Sequence, residues 1–192
     1  MAEARYRGEV VKLDRGYPLV RLEDGELLRC EHATALVKGE RRRAVIGDVV
    51  EVAVPPAHDK GVIEAIAPRT REFVRKDPTE RAVPQVLAAN FERVIVAQPV
   101  GEVNLRRLER ELVLAFETGA EVTVVLTKAD LADDAATRAT VEAVQALAAP
   151  AADVLVVSED DPASVEAVSA LLAPGTTTVL IGRSGVGKSS LV

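Results

Sequence analysis

Nine residues near the end of the sequence, Gly182-Arg183-Ser184-Gly185-Val186-Gly187-Lys188-Ser189-Ser190, have the types and spacing that polyphosphate binding requires. They fit Gly-x-x-x-x-Gly-Lys-Ser, and the run Thr177–Ile181 before them reads as a buried strand. A phosphate chain needs close approach by bare backbone, which the glycines at 182, 185 and 187 allow. Successive N–H groups then converge on an anion at the mouth of a helix, whose dipole favours negative charge there. Lys188 is expected along the β- and γ-phosphates and the Ser189 hydroxyl on Mg²⁺, which makes these two the catalytic candidates. A glycine-rich turn between strand and helix is the plain alternative. Three glycines, Lys-Ser and the strand all in register argue against it.

A phosphate site alone does not choose a base. Thr127-Lys128-Ala129-Asp130, directly after the apolar run Val122–Leu126, can choose one. A carboxylate at Asp130 would accept from both guanine N1–H and the exocyclic N2 amino group. Adenine has no hydrogen on N1 and would leave that carboxylate buried and unpaired, a mismatch that discriminates strongly. The Lys128 stem can lie across the base plane. Ser158, after the strand Val154–Val157, is a third candidate, placing loop backbone near guanine O6. Ser158-Glu-Asp-Asp161 reads equally well as a helix N-cap with acidic first-turn residues.

These stretches need a scaffold, and the rhythm of the chain predicts two kinds. From Tyr6 to Ile66 the sequence alternates short strands with turns: Tyr6–Leu13, Leu19–Leu22, Leu27–Glu31, Val49–Val54 and Gly61–Ile66. The turns are Asp14-Arg-Gly16, Glu23-Asp-Gly25, Ile46-Gly-Asp48 and the Pro55-Pro56 stop. Five strands without a convincing helix suit an all-β barrel of the OB type, with an SH3-like barrel as the competitor. After Asn90 strands and helices alternate: strand Arg93–Gln98, and a helix marked by Leu105, Leu108, Leu112, Ala115 and Phe116. Strand 121–126, helix 133–147, strand 153–157, helix 162–172 and strand 177–181 follow. Apolar strands between amphipathic helices predict an α/β domain with a parallel sheet covered on both faces. Its ligand edge lies beyond the carboxyl ends of the strands. The expected domains are 1–68 (barrel), 69–89 (a strap with two prolines and mixed charge) and 90–192 (nucleotide domain).

Composition narrows the setting. Almost half of the residues are hydrophobic but only 3% are aromatic, so the core must be aliphatic. Cys30 is the only cysteine, which excludes a disulfide within the chain. His32 and His58 have no partner at metal-ligand spacing. No apolar run matches a membrane span and no signal peptide is visible, so a cytoplasmic protein without a membrane partner is expected. The net charge of −6 is uneven: residues 90–192 carry 15 acidic against 8 basic groups, residues 1–68 a near balance. Nucleic-acid contact is therefore expected from the front half. Its basic run Lys38-Gly-Glu-Arg41-Arg42-Arg43 reads as a phosphate-contacting loop or, on its own, as a solvated loop.

The order of the boxes, 127–130, then 158, then 182–189, is that of a circularly permuted GTPase. With the front barrel it resembles the ribosome small subunit-dependent GTPase family, RsgA/YjeQ. Matching features are Gly47-Asp48, Ala88-Ala-Asn90, the Arg106–Leu114 helix, Thr-Lys-Ala-Asp and Gly-Arg-Ser-Gly-Val-Gly-Lys-Ser-Ser. The resemblance implies cytoplasmic GTP hydrolysis with GTP/GDP and Mg²⁺, stimulated by the 30S ribosomal subunit late in its maturation. It also implies contact with 16S rRNA through the barrel, and a monomer is expected. The family box begins with Asn, whose amide braces neighbouring loops; here Thr127 keeps only a hydroxyl. The family's switch I Thr, Asp-x-x-Gly box and zinc-binding Cys/His helical domain would lie beyond Val192. The sequence is therefore expected to be a fragment carrying the binding half of the site. The rival readings are a non-catalytic nucleotide-sensing, nucleic-acid-binding module and a P-loop ATPase or kinase, the latter disfavoured by Asp130.

Overall fold

A computed structural model describes residues 4–14, 17–39, 42–56, 59–75 and 85–191. Gly16, Arg41, His58, residues 76–84 of the expected strap and Val192 lie outside the described residues. The chain divides into two compact units, Met1–Asn90 and Phe91–Val192.

In the first unit β1 (Ala4–Asp14), β2 (Tyr17–Leu22), β3 (Leu27–His32), β4 (Val49–Val54) and β5 (Gly61–Ile66) close into a barrel in the order β1-β2-β3-β5-β4. β4 returns to pair antiparallel with β1, and β3 runs parallel to β5. That strand order is the Greek-key barrel of the OB type, so the SH3-like alternative falls away. Strict alternation along β2 buries Pro18, Val20 and Leu22 and turns Tyr17 and Arg21 outward. With Val10, Val50, Val52, Ile63 and the thiol of Cys30 these side chains make the aliphatic core that the composition demands. Burial pushes the Cys30 thiol up to about 11, so it is a packing group and not a nucleophile.

β6 (Glu72–Arg75) and β7 (Gln85–Ala89) form an antiparallel ribbon that is stitched to the barrel. Ala89 N–H donates to the Ile46 carbonyl, and the Asn90 amide donates to the Gly47 carbonyl at 2.9 Å. Gly47 has φ +87°, and a Cβ there would sit 1.9 Å from the Ala89 carbonyl oxygen, so only glycine lets the ribbon lie this close. Beside it Asp48 is fully buried. Its carboxylate accepts from Val45 N–H and, at 2.7 and 2.8 Å, from Nε and Nη2 of Arg69. Truncating one partner of such a buried, bidentate pair typically costs about 3–5 kcal/mol, which fixes the turn and the start of the ribbon together.

The second unit is a parallel sheet in the order β10-β9-β8-β11, built from β8 (Arg93–Pro99), β9 (Glu121–Thr127), β10 (Asp153–Val156) and β11 (Thr178–Ile181). The central strands are buried almost end to end, as strands covered on both faces must be. α1 (Leu105–Phe116) packs on β8 and β9 through Leu108, Leu112 and Ala115, while Leu105 and Phe116 at its ends stay partly exposed. α2 (Asp134–Ala148) packs against β10. α3 (Pro162–Ser169) brings Val168 onto Ile95, Val125 and Val157. It ends before the expected Leu172. There Leu171 and Leu172 donate to carbonyls three residues back, and Pro174-Gly175 turns the chain away. Each helix opens on a side-chain cap, Asn104, Asp133 or Asp161. No helix among the described residues is long and apolar enough to cross a membrane.

Candidate nucleotide site

Every strand of the parallel sheet points its carboxyl end toward one edge, and three loops meet there. They enclose a cavity of about 500 Å³. Thr127 and Lys128 enter from the loop after β9, and Val157 and Glu159 from the loop after β10. Ser184, Gly185 and Gly187–Leu191 enter from the loop after β11. Residues more than sixty positions apart in sequence, Thr127 and Leu191, thus share one hollow, at the edge where parallel sheets hold ligands.

The loop after β11 has the glycine conformations that a phosphate-holding loop needs. Gly182, Gly185 and Gly187 all have positive φ. Gly182 leaves β11 at φ +145°, and a Cβ on it would stand 2.6 Å from the Ala97 carbonyl oxygen of β8, so a side chain would drive the loop off the sheet. Lys188 folds back across the loop, its ammonium donating to the carbonyls of Gly182 (2.8 Å) and Arg183 (2.6 Å). Ser189 and Ser190 are exposed, in a single 3-10 turn spanning Lys188–Ser190. Arg183 and Ser184 are exposed on the outer limb, and Val186 is buried beneath it. The arrangement fits a polyphosphate: glycines at positive φ that leave the backbone bare of Cβ atoms, one ammonium in the loop, and the Ser189 hydroxyl as the candidate Mg²⁺ ligand. No cluster of three or more His, Cys, Asp or Glu that could hold a metal by itself occurs among the described residues.

The base box follows β9. Lys128 takes a left-handed conformation at φ +59°, which turns the chain sharply so that Ala129 N–H reaches the Val157 carbonyl at 3.2 Å. Asp130 is exposed on the next turn, where its Oδ1 accepts from Glu159 N–H at 3.3 Å. Thr127 is only 3% exposed. Its hydroxyl donates to the Val186 carbonyl at 2.5 Å and lies 3.4 Å from the Gln98 carbonyl. The hydroxyl that stands at the first position of the box therefore ties the base loop to the phosphate loop.

Ser158 faces α3. Its N–H donates to Ser164 Oγ at 3.1 Å, its own Oγ accepts from Asp160 N–H, and the cap of α3 is Asp161. The backbone N–H that reaches the base box is that of Glu159. Glu159 and Val165, which also line the cavity, carry no spacing signal that marks them in advance. Gln98, 2% exposed, was visible only as a polar residue closing the apolar run Val94-Ile-Val-Ala.

On the barrel, Arg42 and Arg43 border a groove of about 560 Å³ with Leu13, Val37 and Leu87 on its walls. His32 anchors the chain there, its Nε2 accepting Ala44 N–H at 2.9 Å. That bond requires a neutral ring. Burial, and then the Arg43 charge, hold the His32 pKa below its ordinary 6.5.

Three comparisons bear on this architecture. A protein of Streptomyces avermitilis named small ribosomal subunit biogenesis GTPase RsgA is 39% identical over 191 residues, 99% of this chain and 50% of its own length. A protein of the same name from Bordetella pertussis is 31% identical, matching all of this chain and 61% of its own. The chain thus spans about half the length of the first of these relatives. Among solved structures, YjeQ from Thermotoga maritima superposes with a TM-score of 0.76 at 27% identity, over 98% of this chain and 64% of that one. The fold is shared with YloQ, described as a circularly permuted GTPase, at a TM-score of 0.70 and 23% identity, over 97% and 63% of the two chains. The sequence profile of the RsgA GTPase family matches residues 66–192, and with the barrel in front and the boxes in permuted order, this chain belongs to that family.

Proposed function

We propose that this chain binds GTP and GDP with Mg²⁺ and carries the nucleotide-binding portion of a cytoplasmic, monomeric GTP hydrolase that acts on the small ribosomal subunit late in its assembly. The observation that carries the reading is the shared cavity, with Thr127 and Lys128 of the base box, the loop after β10 and the phosphate loop on its walls, and Asp130 reached from it through Glu159 N–H. The names of the relatives supply the ribosomal setting.

In this reading Asp130 accepts from guanine N1–H and N2, and the Lys128 stem covers one face of the base. Glu159 N–H, already beside Asp130, stands near the base edge with the Ser158 loop behind it. Gly182–Gly187 hold the phosphate chain through backbone N–H groups. Lys188 exchanges its two loop carbonyls for phosphate oxygens, which costs little because both acceptors are rim groups that water can serve. Ser189 is the protein's ligand for Mg²⁺, which when bound neutralises charge developing on the phosphates. The barrel supplies the RNA contact, with Arg42 and Arg43 beside the groove placed to meet phosphates of 16S rRNA in the 30S subunit.

Titration of the chain with fluorescent GDP, competed by GTP, GDP and ATP, tests the reading. Competition by GTP and GDP with ATP ineffective supports it. Equal competition by ATP refutes guanine selection. Turnover measured with and without 30S subunits, on a protein of the relatives' full length, tests the hydrolytic part.

A further inference from the structure

Between α1 and β8 a polar pair sits beside the apolar contact made by Leu108, Leu112 and Ala115. Gln98 is 2% exposed at the carboxyl end of β8, and its amide Nε2 donates to Glu111 Oε2 of α1 at 2.6 Å. Glu111, its side chain 14% exposed, accepts on its other oxygen from Arg107 Nε at 2.8 Å, one helical turn earlier. Leu108 and Leu112, the neighbours on that helix face, are buried hydrocarbons. A hydrophobic pair at 98 and 111 would hold the helix at least as well, since desolvating an amide and a carboxylate offsets most of what their bond returns. What a polar pair adds is a fixed register, because it has one good geometry where hydrocarbons have many.

The register it fixes is that of the nucleotide loops. Gln98 stands opposite Leu126, and Pro99 opposite Thr127. The Gln98 carbonyl lies 3.4 Å from the Thr127 hydroxyl that braces Val186. One residue back, the Ala97 carbonyl is the surface against which Gly182 packs. Ala97–Gln98 is therefore the floor on which both the base box and the phosphate loop rest, and the Gln98 side chain tethers it to α1.

Building on the nucleotide reading above, we infer that Gln98 is a positioning residue for nucleotide binding, held by Glu111 and acting through Thr127 and Gly182. It touches neither base nor phosphate. Its loss lets the floor shift relative to the two loops, so both ends of the nucleotide are gripped in poorer alignment. Because both loops share the floor, GDP and a non-hydrolysable GTP analogue should be affected by the same factor.

The test is release of fluorescent GDP from the 192-residue chain, with thermal unfolding measured on the same samples. The apolar pair Q98L/E111L should unfold at or above the parent's temperature yet release GDP about tenfold faster. Q98E alone sets two carboxylates face to face and should also speed release. Adding E111Q to it rebuilds the bond with donor and acceptor exchanged, and should return the rate to near the parent's. Unchanged release in Q98L/E111L overturns the inference. If that variant does not fold, the exchanged pair decides: no recovery in Q98E/E111Q over Q98E overturns it equally. A parent that binds neither GDP nor GTP overturns the nucleotide reading itself and this inference with it.

Discussion

Asp130 shows how one side chain can set the chemistry of the site. Its Oδ1 accepts Glu159 N–H, which orients the carboxylate plane before any base arrives. Asp130→Asn keeps the shape but can present an amide donor to the guanine N2 donor. GTP should then lose about 1–3 kcal/mol of binding, roughly five- to 150-fold in affinity. Xanthine offers a carbonyl at that position, so the variant should move its preference toward XTP. Competition of GTP, XTP and ATP against labelled GDP measures this, and a variant that keeps GTP first by the parent's margin removes Asp130 from base reading. His32 carries a second expectation at this scale. Its folded pKa lies below 6.5 through burial and Arg43, so the unfolded chain binds the extra proton first. The stability from the neutral ring is present above pH 6.5 and is lost as pH falls toward and through the folded pKa. The parent's barrel should therefore lose melting temperature between pH 6.5 and pH 5. His32→Gln, which can still accept Ala44 N–H but does not titrate, should show a flatter profile; identical slopes would remove His32 as the cause.

The elements were legible where a period or a glycine speaks for them. Val49–Val54 and Gly61–Ile66 are strands over the limits that alternation predicts, and the phosphate loop declares itself through three glycines before Lys188. The contacts between elements were not legible. Nothing in Thr127 alone says that its hydroxyl reaches a carbonyl fifty-nine residues later, and nothing in Gln98 says that Glu111 waits on α1, because such pairings exist only once the sheet has brought the strands side by side. α3 stops short of its apolar period for a related reason: Leu171 and Leu172 keep that period through packing after the helix has tightened and ended. The junction of β11 and the phosphate loop yields the expectation for this scale. Gly182→Ala places a methyl against the Ala97 carbonyl at a φ that L residues rarely adopt, strain of about 1–3 kcal/mol before any clash is counted. Nucleotide affinity should fall at least tenfold or so, while the melting temperature of the barrel unit is unchanged. Parental affinity in this variant would mean that the loop does not depend on its seat on β8.

At the scale of the whole chain, charge divides the labour. The acidic excess of residues 90–192 opposes a polyanion, so the proposed RNA contact is expected from residues 1–89, where the near-balanced charge includes the basic run before Ala44. Of that run, Arg42 and Arg43 border the groove in the barrel unit. Arg69 is already committed to Asp48 and Glu72, so its charge is largely spent inside the fold. A solvated loop and an RNA-contacting loop look alike in sequence, and they differ in what salt does to them. Reversing both groups, Arg42→Glu and Arg43→Glu, should weaken association with 30S subunits. It should also make the slope of log affinity against log salt shallower by about two, since each lost phosphate contact releases roughly one fewer counterion. Nucleotide affinity, measured on the same protein, should stay at the parent's value because the altered charges belong to the other unit. Association and salt slope both unchanged would assign the arginines to solvation alone. A parallel loss of nucleotide binding would instead mean that the reversal damages the fold, and the ribosomal effect would then carry no information about contact.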